Sequence, residues 1–265
     1  SLLGTIGCTG GKHVLINGGV SSEQLHRNYF EGANHLLKGD KEAAYASFSR
    51  CSEEEPNVAS FHYDLARIDF DLDRYESAID HYDQAIEIEP ENDWYRYYRA
   101  QAFVLTEKYD EAQKDFEFWI EARSADLEAL RECSDIFISA FQPWYAYKLL
   151  VFYEEEIARN VDVRLDQLAL ISHSNIEFES FDVFINRSAL EFPNEPAFAL
   201  HRGLMAAFNK DYESAILILE KLRSDHPYYM KSVIPLAESY TAIGKTDEAF
   251  ELLLVAFQSE DIDLQ

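Results

Sequence analysis

The chain has 265 residues, 47% of them apolar and 14% aromatic, and a formal charge of −26 from 23 basic and 49 acidic side chains. That much apolar material excludes a disordered chain, and that much negative charge excludes partners recognised through phosphate, whether nucleic acid or an anionic membrane surface. Ten Gly and seven Pro are too few for the many turns of a sandwich or barrel, so the composition predicts long helices.

The acidity belongs to the whole chain. Residues 25–126 carry 24 acids and 11 bases, and residues 127–263 carry the same numbers, a net of −13 each. Residues 1–24 hold only Glu23 and Lys12. An even spread excludes an acidic tail.

In chain order, the first segment is 1–24. It opens Ser1-Leu2-Leu3 without a Met, which predicts a piece of a longer precursor. A short apolar run leads to Gly7-Cys8 and then to small polar residues. This resembles the end of a bacterial lipoprotein signal, with Thr5 standing where that signal usually has Leu. The resemblance implies lipid attachment at Cys8 and a place in the bacterial cell envelope, on the periplasmic side of a membrane. The alternative is a cytoplasmic chain in which Cys8 is incidental. Gly10, Gly11, Gly18, Gly19 and two Ser make residues 9–24 read as a flexible tether. No apolar run reaches the roughly 18 residues of a membrane-spanning helix.

The remainder repeats. Small residues stand at Gly32, Ala66, Ala100, Ser134, Ala169, Gly203 and Ala237, spaced 34, 34, 34, 35, 34 and 34 apart. A second series follows 12 residues later, at Ala44, Ala78, Ala112, Ala146, Phe181, Ala215 and Ala249. A third lies 24 after the first, at Pro56, Pro90, Pro193 and Pro227. A 34-residue period at three linked positions is the signature of a helical repeat array. The two small residues let paired helices approach closely, an aromatic at Phe48, Tyr82 and Phe116 fills the space between pairs, and Pro ends the second helix.

This pattern resembles the tetratricopeptide repeat family. Seven units are predicted at 25–58, 59–92, 93–126, 127–160, 162–195, 196–229 and 230–263. The resemblance implies an all-α, right-handed superhelical solenoid of about seven helix-turn-helix hairpins. The pattern weakens in the middle. Phe141-Gln142-Pro143 stands where a polar turn belongs, Phe181 where Ala belongs, and one extra residue lies between Ala146 and Ala169. A local change of geometry is expected there. Pro235 falls at unit position 6, tolerable only near a helix start.

Catalytic and metal-binding patterns are absent. The eight His residues are scattered, there is no CxxC pair and no HExxH, and no phosphate-binding glycine loop or nucleophile elbow occurs. Cys51 and Cys133 fall at core positions two hairpins apart, which predicts buried free thiols. The chain reads as non-enzymatic, with no cofactor and no metal.

The family mostly binds partners on the face lined by each unit's first helix, at positions 2, 5, 9, 12 and 13. The family's carboxylate clamp needs Lys at position 5 and Asn at position 9. Here those positions hold Tyr29 and Ala33, Tyr63 and Arg67, Tyr97 and Gln101, so the clamp is missing. What remains is an aromatic, Arg-bearing and nearly neutral groove in the N-terminal half. Tyr63, Arg67, Tyr97, Gln101 and Arg131 are the candidate contacts to a protein or peptide partner, because Tyr and Arg are the usual hot spots of interfaces. The tether-plus-repeat layout also resembles repeat lipoproteins of the Bacteroidetes, which implies a scaffold assisting assembly or secretion complexes at the outer membrane. A soluble adaptor or co-chaperone, and a sensory module of a longer regulatory chain, are the alternatives. The last unit lacks a polar capping helix, which predicts that the chain continues or that something covers its end.

Overall fold

The computed structural model describes residues 20–123, 126–173 and 180–260. Among these the chain forms fourteen α-helices and no strand. They pair as antiparallel hairpins: α1 (Val20–Leu37) with α2 (Lys41–Glu54), α3 (Ala59–Asp71) with α4 (Tyr75–Ile88), α5 (Asp93–Leu105) with α6 (Tyr109–Glu121), and α7 (Leu127–Ser139) with α8 (Pro143–Phe152). Then follow α9 (Val161–His173), α10 (Phe181–Glu191), α11 (Pro196–Phe208), α12 (Tyr212–Asp225), α13 (Val233–Ala242) and α14 (Thr246–Glu260). The chain divides into two compact units, one up to Ala158 and one from Arg159.

Among the described residues the hairpin turn recurs at unit position 15 in the left-handed region. Gly39 and Gly244 take φ of 78° and 83° there, and Asp73, Glu107, Phe141 and Lys210 take 57–63°. Glycine adopts this conformation freely, while a side chain bears strain, most of all a bulky one. Phe141 is the extreme case, an aromatic ring left 89% exposed on a left-handed turn. Pro143 then starts α8 at its first turn, where its missing N–H costs nothing.

The small positions do what their spacing demands. Ala44, Ala66, Ala78, Ala100 and Ala112 are fully buried. A methyl added to Gly203 would meet the Leu219 side chain at 2.6 Å, and one added to Gly32 would meet the Phe48 ring at 3.0 Å. Phe48, Tyr82 and Phe116 are buried between hairpins. Cys51 and Cys133 are buried free thiols, and burial pushes the Cys51 thiol up to about 11.

In the first unit, polar side chains tie successive hairpins at about the repeat distance. Lys41 pairs with Asp71 at 3.3 Å, Lys108 with Glu76 at 2.6 Å, and Tyr145 donates to Asp110 at 3.0 Å. Arg99 reaches from α5 to Asp83 on α4 and Asp115 on α6. The unit ends in a π-helical turn, Tyr153–Ile157, inside the stretch where a change of geometry was expected.

The second unit has an apolar centre of Leu168, Phe184, Ile185 and Phe198, followed by Leu219, Leu222 and Leu236. Arg164 is buried there, bonded to Ser188 and paired with Glu191 at 2.9 Å. Pro235 is the third residue of α13, after a 3-10 turn at Met230–Ser232, where a helix accommodates it. The last hairpin leaves Phe250 and Phe257 two-thirds exposed and carries an open hollow of about 430 Å³ lined by Ile234, Ala237, Thr241 and Leu253.

Two boundaries differ from the sequence expectation. Helix α1 begins at Val20, so residues 20–24, assigned to a flexible tether, belong to the first hairpin. Residues 1–19, including Cys8, lie outside the described residues. The fifth unit starts at residue 161, not 162. Asn160 caps α9, its side chain accepting from the backbone N–H groups of Asp162 and Val163, as Asp126 caps α7. Val163, Arg164, Gln167 and Leu168 are the buried residues of α9, at unit positions 3, 4, 7 and 8 counted from 161. The extra residue of the long spacing therefore comes after α9, because a capping side chain fixes where a helix starts.

Candidate functional site: the open stripe of the first unit

The first helices of the four N-terminal hairpins, α1, α3, α5 and α7, keep unit positions 2, 6, 9 and 13 open to solvent or half open throughout. Spacing of 4, 3 and 4 residues puts these on one helical stripe. On α1 the stripe is His26, Phe30, Ala33 and Leu37, and on α3 it is Ser60, Asp64, Arg67 and Asp71. On α5 it is Trp94, Tyr98, Gln101 and Leu105, and on α7 it is Glu128, Glu132, Asp135 and Ser139.

Side chains join the four stripes into one surface. Tyr29 of α1 meets Phe61 of α3 at 6.0 Å between ring centres. Tyr63 of α3 meets Tyr98 of α5 at 5.7 Å. The Tyr97 hydroxyl of α5 donates to Glu132 of α7. Trp94 stacks near Tyr98 at 6.0 Å, and Arg123 lies over Trp94 at 4.8 Å and over Trp119 at 3.8 Å. Arg123 also pairs with Asp93.

The five candidate contacts fall in different places. Arg67 and Arg131 are exposed and Gln101 is half-buried, all within reach of a partner. Tyr63 is half-buried, its ring packed on Tyr82, Tyr95 and Tyr98, and its hydroxyl accepts from Arg67 at 2.9 Å. Burial pushes the Tyr63 phenol up to about 12. Tyr97 is only 6% exposed and stacks on Trp119 at 4.5 Å. It is a packing residue whose hydroxyl alone reaches toward the stripe, and burial followed by the Glu132 hydrogen bond raises its pKa. The physical reason is register: on α3 and α5 position 5 turns toward the neighbouring hairpin and an aromatic there fills the gap, while on α1 and α7 the same position stays open.

Position 6 is what the sequence reading missed. Phe30, Asp64, Tyr98 and Glu132 stand there, and none is buried. Their inclusion changes the charge of the surface. The sixteen stripe positions hold five acids, Asp64, Asp71, Glu128, Glu132 and Asp135, against Arg67 as the one permanent cation. With the exposed Arg131 at position 5 counted, the face expected to be nearly neutral carries more acids than bases, and Phe30 and Leu37 on α1 and Trp94 and Leu105 on α5 are its exposed apolar residues.

Asp64 has the most unusual environment. It lies one helical turn beyond Phe61, which packs on Leu25 and Cys51. Among the described residues its carboxylate accepts no hydrogen bond and forms no ion pair. Arg67, three residues on, is held elsewhere, over the Tyr98 ring at 4.7 Å and bonded to Tyr63. Burial pushes the Asp64 carboxyl up to about 7, with the Arg67 charge only partly opposing it.

Antiparallel helix pairs stacked at a 34-residue period define a helical repeat protein. The sequence profile of the TPR repeat family matches residues 66–106. The hairpin series continues on both sides of that match with the same period. No curated protein matches it. Among solved structures it is similar to a tetratricopeptide repeat protein from Parabacteroides merdae, at 15% identity over 89% of this chain and 93% of that one, with a TM-score of 0.46. It is also similar to the second TPR domain of human RPAP3, solved with an HSP70 peptide, at 22% identity over 44% of this chain and 97% of that one, with a TM-score of 0.41.

Proposed function

We propose that the chain is a non-enzymatic scaffold that holds an extended segment of a protein partner along the open stripe of its first unit. The observation that carries this reading is a stripe repeated on α1, α3, α5 and α7 that leaves Phe30 and Leu37 about 70% exposed on α1 and Trp94 and Leu105 exposed on α5. Soluble proteins rarely leave a contiguous apolar surface uncovered unless it binds something. Photo-crosslinkers at Phe30 and Gln101, compared with one at the exposed Gln84 on α4, test it in the cells of origin. A common partner crosslinked from Phe30 and Gln101 but not from Gln84 is the expected result. Equal capture from Gln84 contradicts the docking face.

A second reading rests on Gly7-Cys8: Cys8 carries lipid and anchors the scaffold in the bacterial envelope. Metabolic labelling with palmitate is expected to mark the chain in cells and to be lost in Cys8→Ser. Equal labelling of both contradicts it.

A further inference from the structure

The partner's chemistry follows from what the stripe lacks. It offers five carboxylates, of which Asp71 is already paired with Lys41 and Glu132 accepts from Tyr97, against Arg67 and, beside the stripe, the exposed Arg131, and no Lys. An acidic segment would meet like charge along its whole length, which costs affinity and slows encounter. A neutral apolar segment would cover Phe30 and Leu37 but would bury Asp64 further, without a partner. A buried, unpaired carboxylate is among the more costly things a protein can hold, and one supplied cation relieves it.

Among the described residues, no cation pairs with it. Arg67 is the nearest, and its guanidinium is committed to Tyr63 and the Tyr98 ring. Asp64 therefore waits half-buried, with the Cys51 thiol, the Glu54 carboxylate and the Arg50 guanidinium as the other titratable groups on the α2 side, and Arg50 forms no ion pair with it.

We propose that this groove selects a basic amphipathic segment, whose apolar side chains lie on Phe30, Leu37, Trp94 and Leu105 while one of its Lys or Arg side chains enters beside α3 to pair with Asp64. The cation would complete the carboxylate's missing contacts, and charge-assisted pairs of this kind are the strong ones. This rests on the docking face proposed above, and the test separates the two.

The probe is a short fluorescent peptide of alternating Leu and Arg, with Leu–Gln and Leu–Glu counterparts, titrated into the full chain by fluorescence anisotropy at about pH 8. There Asp64 is mostly ionised. Asp64→Asn and Asp80→Asn are compared, because Asp80 is an exposed acid on α4 and its loss changes net charge equally. The Leu–Arg peptide is expected to bind about tenfold more tightly than Leu–Gln, with Leu–Glu not binding. Asp64→Asn should remove most of that advantage and Asp80→Asn almost none. Helicity and melting of each variant are checked, and Asp64→Asn should fold well, since it removes an uncompensated charge.

Equal loss in Asp64→Asn and Asp80→Asn overturns the role of Asp64 and leaves only attraction to a negative protein. Equal affinity for Leu–Arg and Leu–Gln, both lost in Phe30→Ser with Leu105→Ser, overturns the basic selectivity while the docking face stands. No binding of any peptide contradicts both.

Discussion

The two units share one scaffold and differ in how they use their first helices. In the N-terminal unit, position 5 carries Tyr29, Tyr63 and Tyr97, and successive hairpins are joined by rings, arginines and carboxylates. In the C-terminal unit, Leu200 and Ile234 stand at that position, and the core is built from Leu, Ile and Phe. The open stripe changes with it. On α9 it includes Asp162 and Asp166, and on α11, α13 and the 3-10 turn before α13 it reads Ala197, His201, Leu204, Phe208, Lys231, Pro235, Glu238 and Ala242. The chain's acidity is spread evenly along the sequence, and few of its 49 acids lie on this face, five in the N-terminal unit and three in the C-terminal one. Net charge therefore says little about a repeat array until each residue is assigned to a face.

The strongest way to break the comparison is to damage one unit alone. Gly203→Val places a branched side chain where a single methyl would already stand 2.6 Å from Leu219. Overpacking of this kind should cost about 3 kcal/mol in the C-terminal unit. Trp94, Trp119 and Trp144 all lie in the N-terminal unit, so tryptophan fluorescence reports that unit and circular dichroism reports both. In urea, the variant should lose part of its helical signal early while its fluorescence midpoint holds.

The next effect runs the other way. Asp64 has a folded pKa of about 7 against an ordinary 3.8. The folded state thus holds this proton more tightly than the unfolded one. The resulting stabilisation is complete below about pH 4 and is lost as pH rises through about 7. Asp64→Asn should be more stable than the natural chain at pH 8 by on the order of 2 kcal/mol, allowing for partial exposure, and the two should converge near pH 4. Urea titrations across that range check it, and a constant difference at all pH values would contradict it.

Smaller effects sharpen the picture of the aromatic ladder. Arg123→Ala removes cations from two indole faces and one ion pair with Asp93. It should cost about 1–2 kcal/mol and change the tryptophan emission of the folded state. Phe141→Gly should stabilise by about 1 kcal/mol, because the φ of 57° strains Phe and not Gly, and the ring loses little contact when removed. Thermal melts detect both.

Much of this architecture is visible in the residues themselves. Close approach demands a small side chain, so Ala66 and Ala78, Gly32 and Gly203 report the hairpin period directly. The aromatics at Phe48, Tyr82 and Phe116 report the gap between hairpins. The turns were legible only at Gly39 and Gly244, because Asp73, Glu107, Phe141 and Lys210 adopt the same strained φ without a residue type that announces it. The start of α9 depended on Asn160, one polar residue among many able to cap a helix.

The site was less legible for a related reason. Tyr at position 5 and Tyr at position 6 look alike in sequence, and a rotation of about 100° per residue decides that Tyr97 packs inward while Tyr98 faces the stripe. Asp64 carries no signal at all in its spacing. It is half-buried on the side of Cys51 of α2, and its lack of a partner comes from the rings that hold Arg67 away.

Hydrogen exchange of the full chain, with and without saturating Leu–Arg peptide, tests most directly the claim that docking belongs to the N-terminal stripe. Protection is expected in α1, α3, α5 and α7, with α11 and α13 unchanged. Equal protection in α11 and α13, or protection confined to α4 and α6, would contradict it.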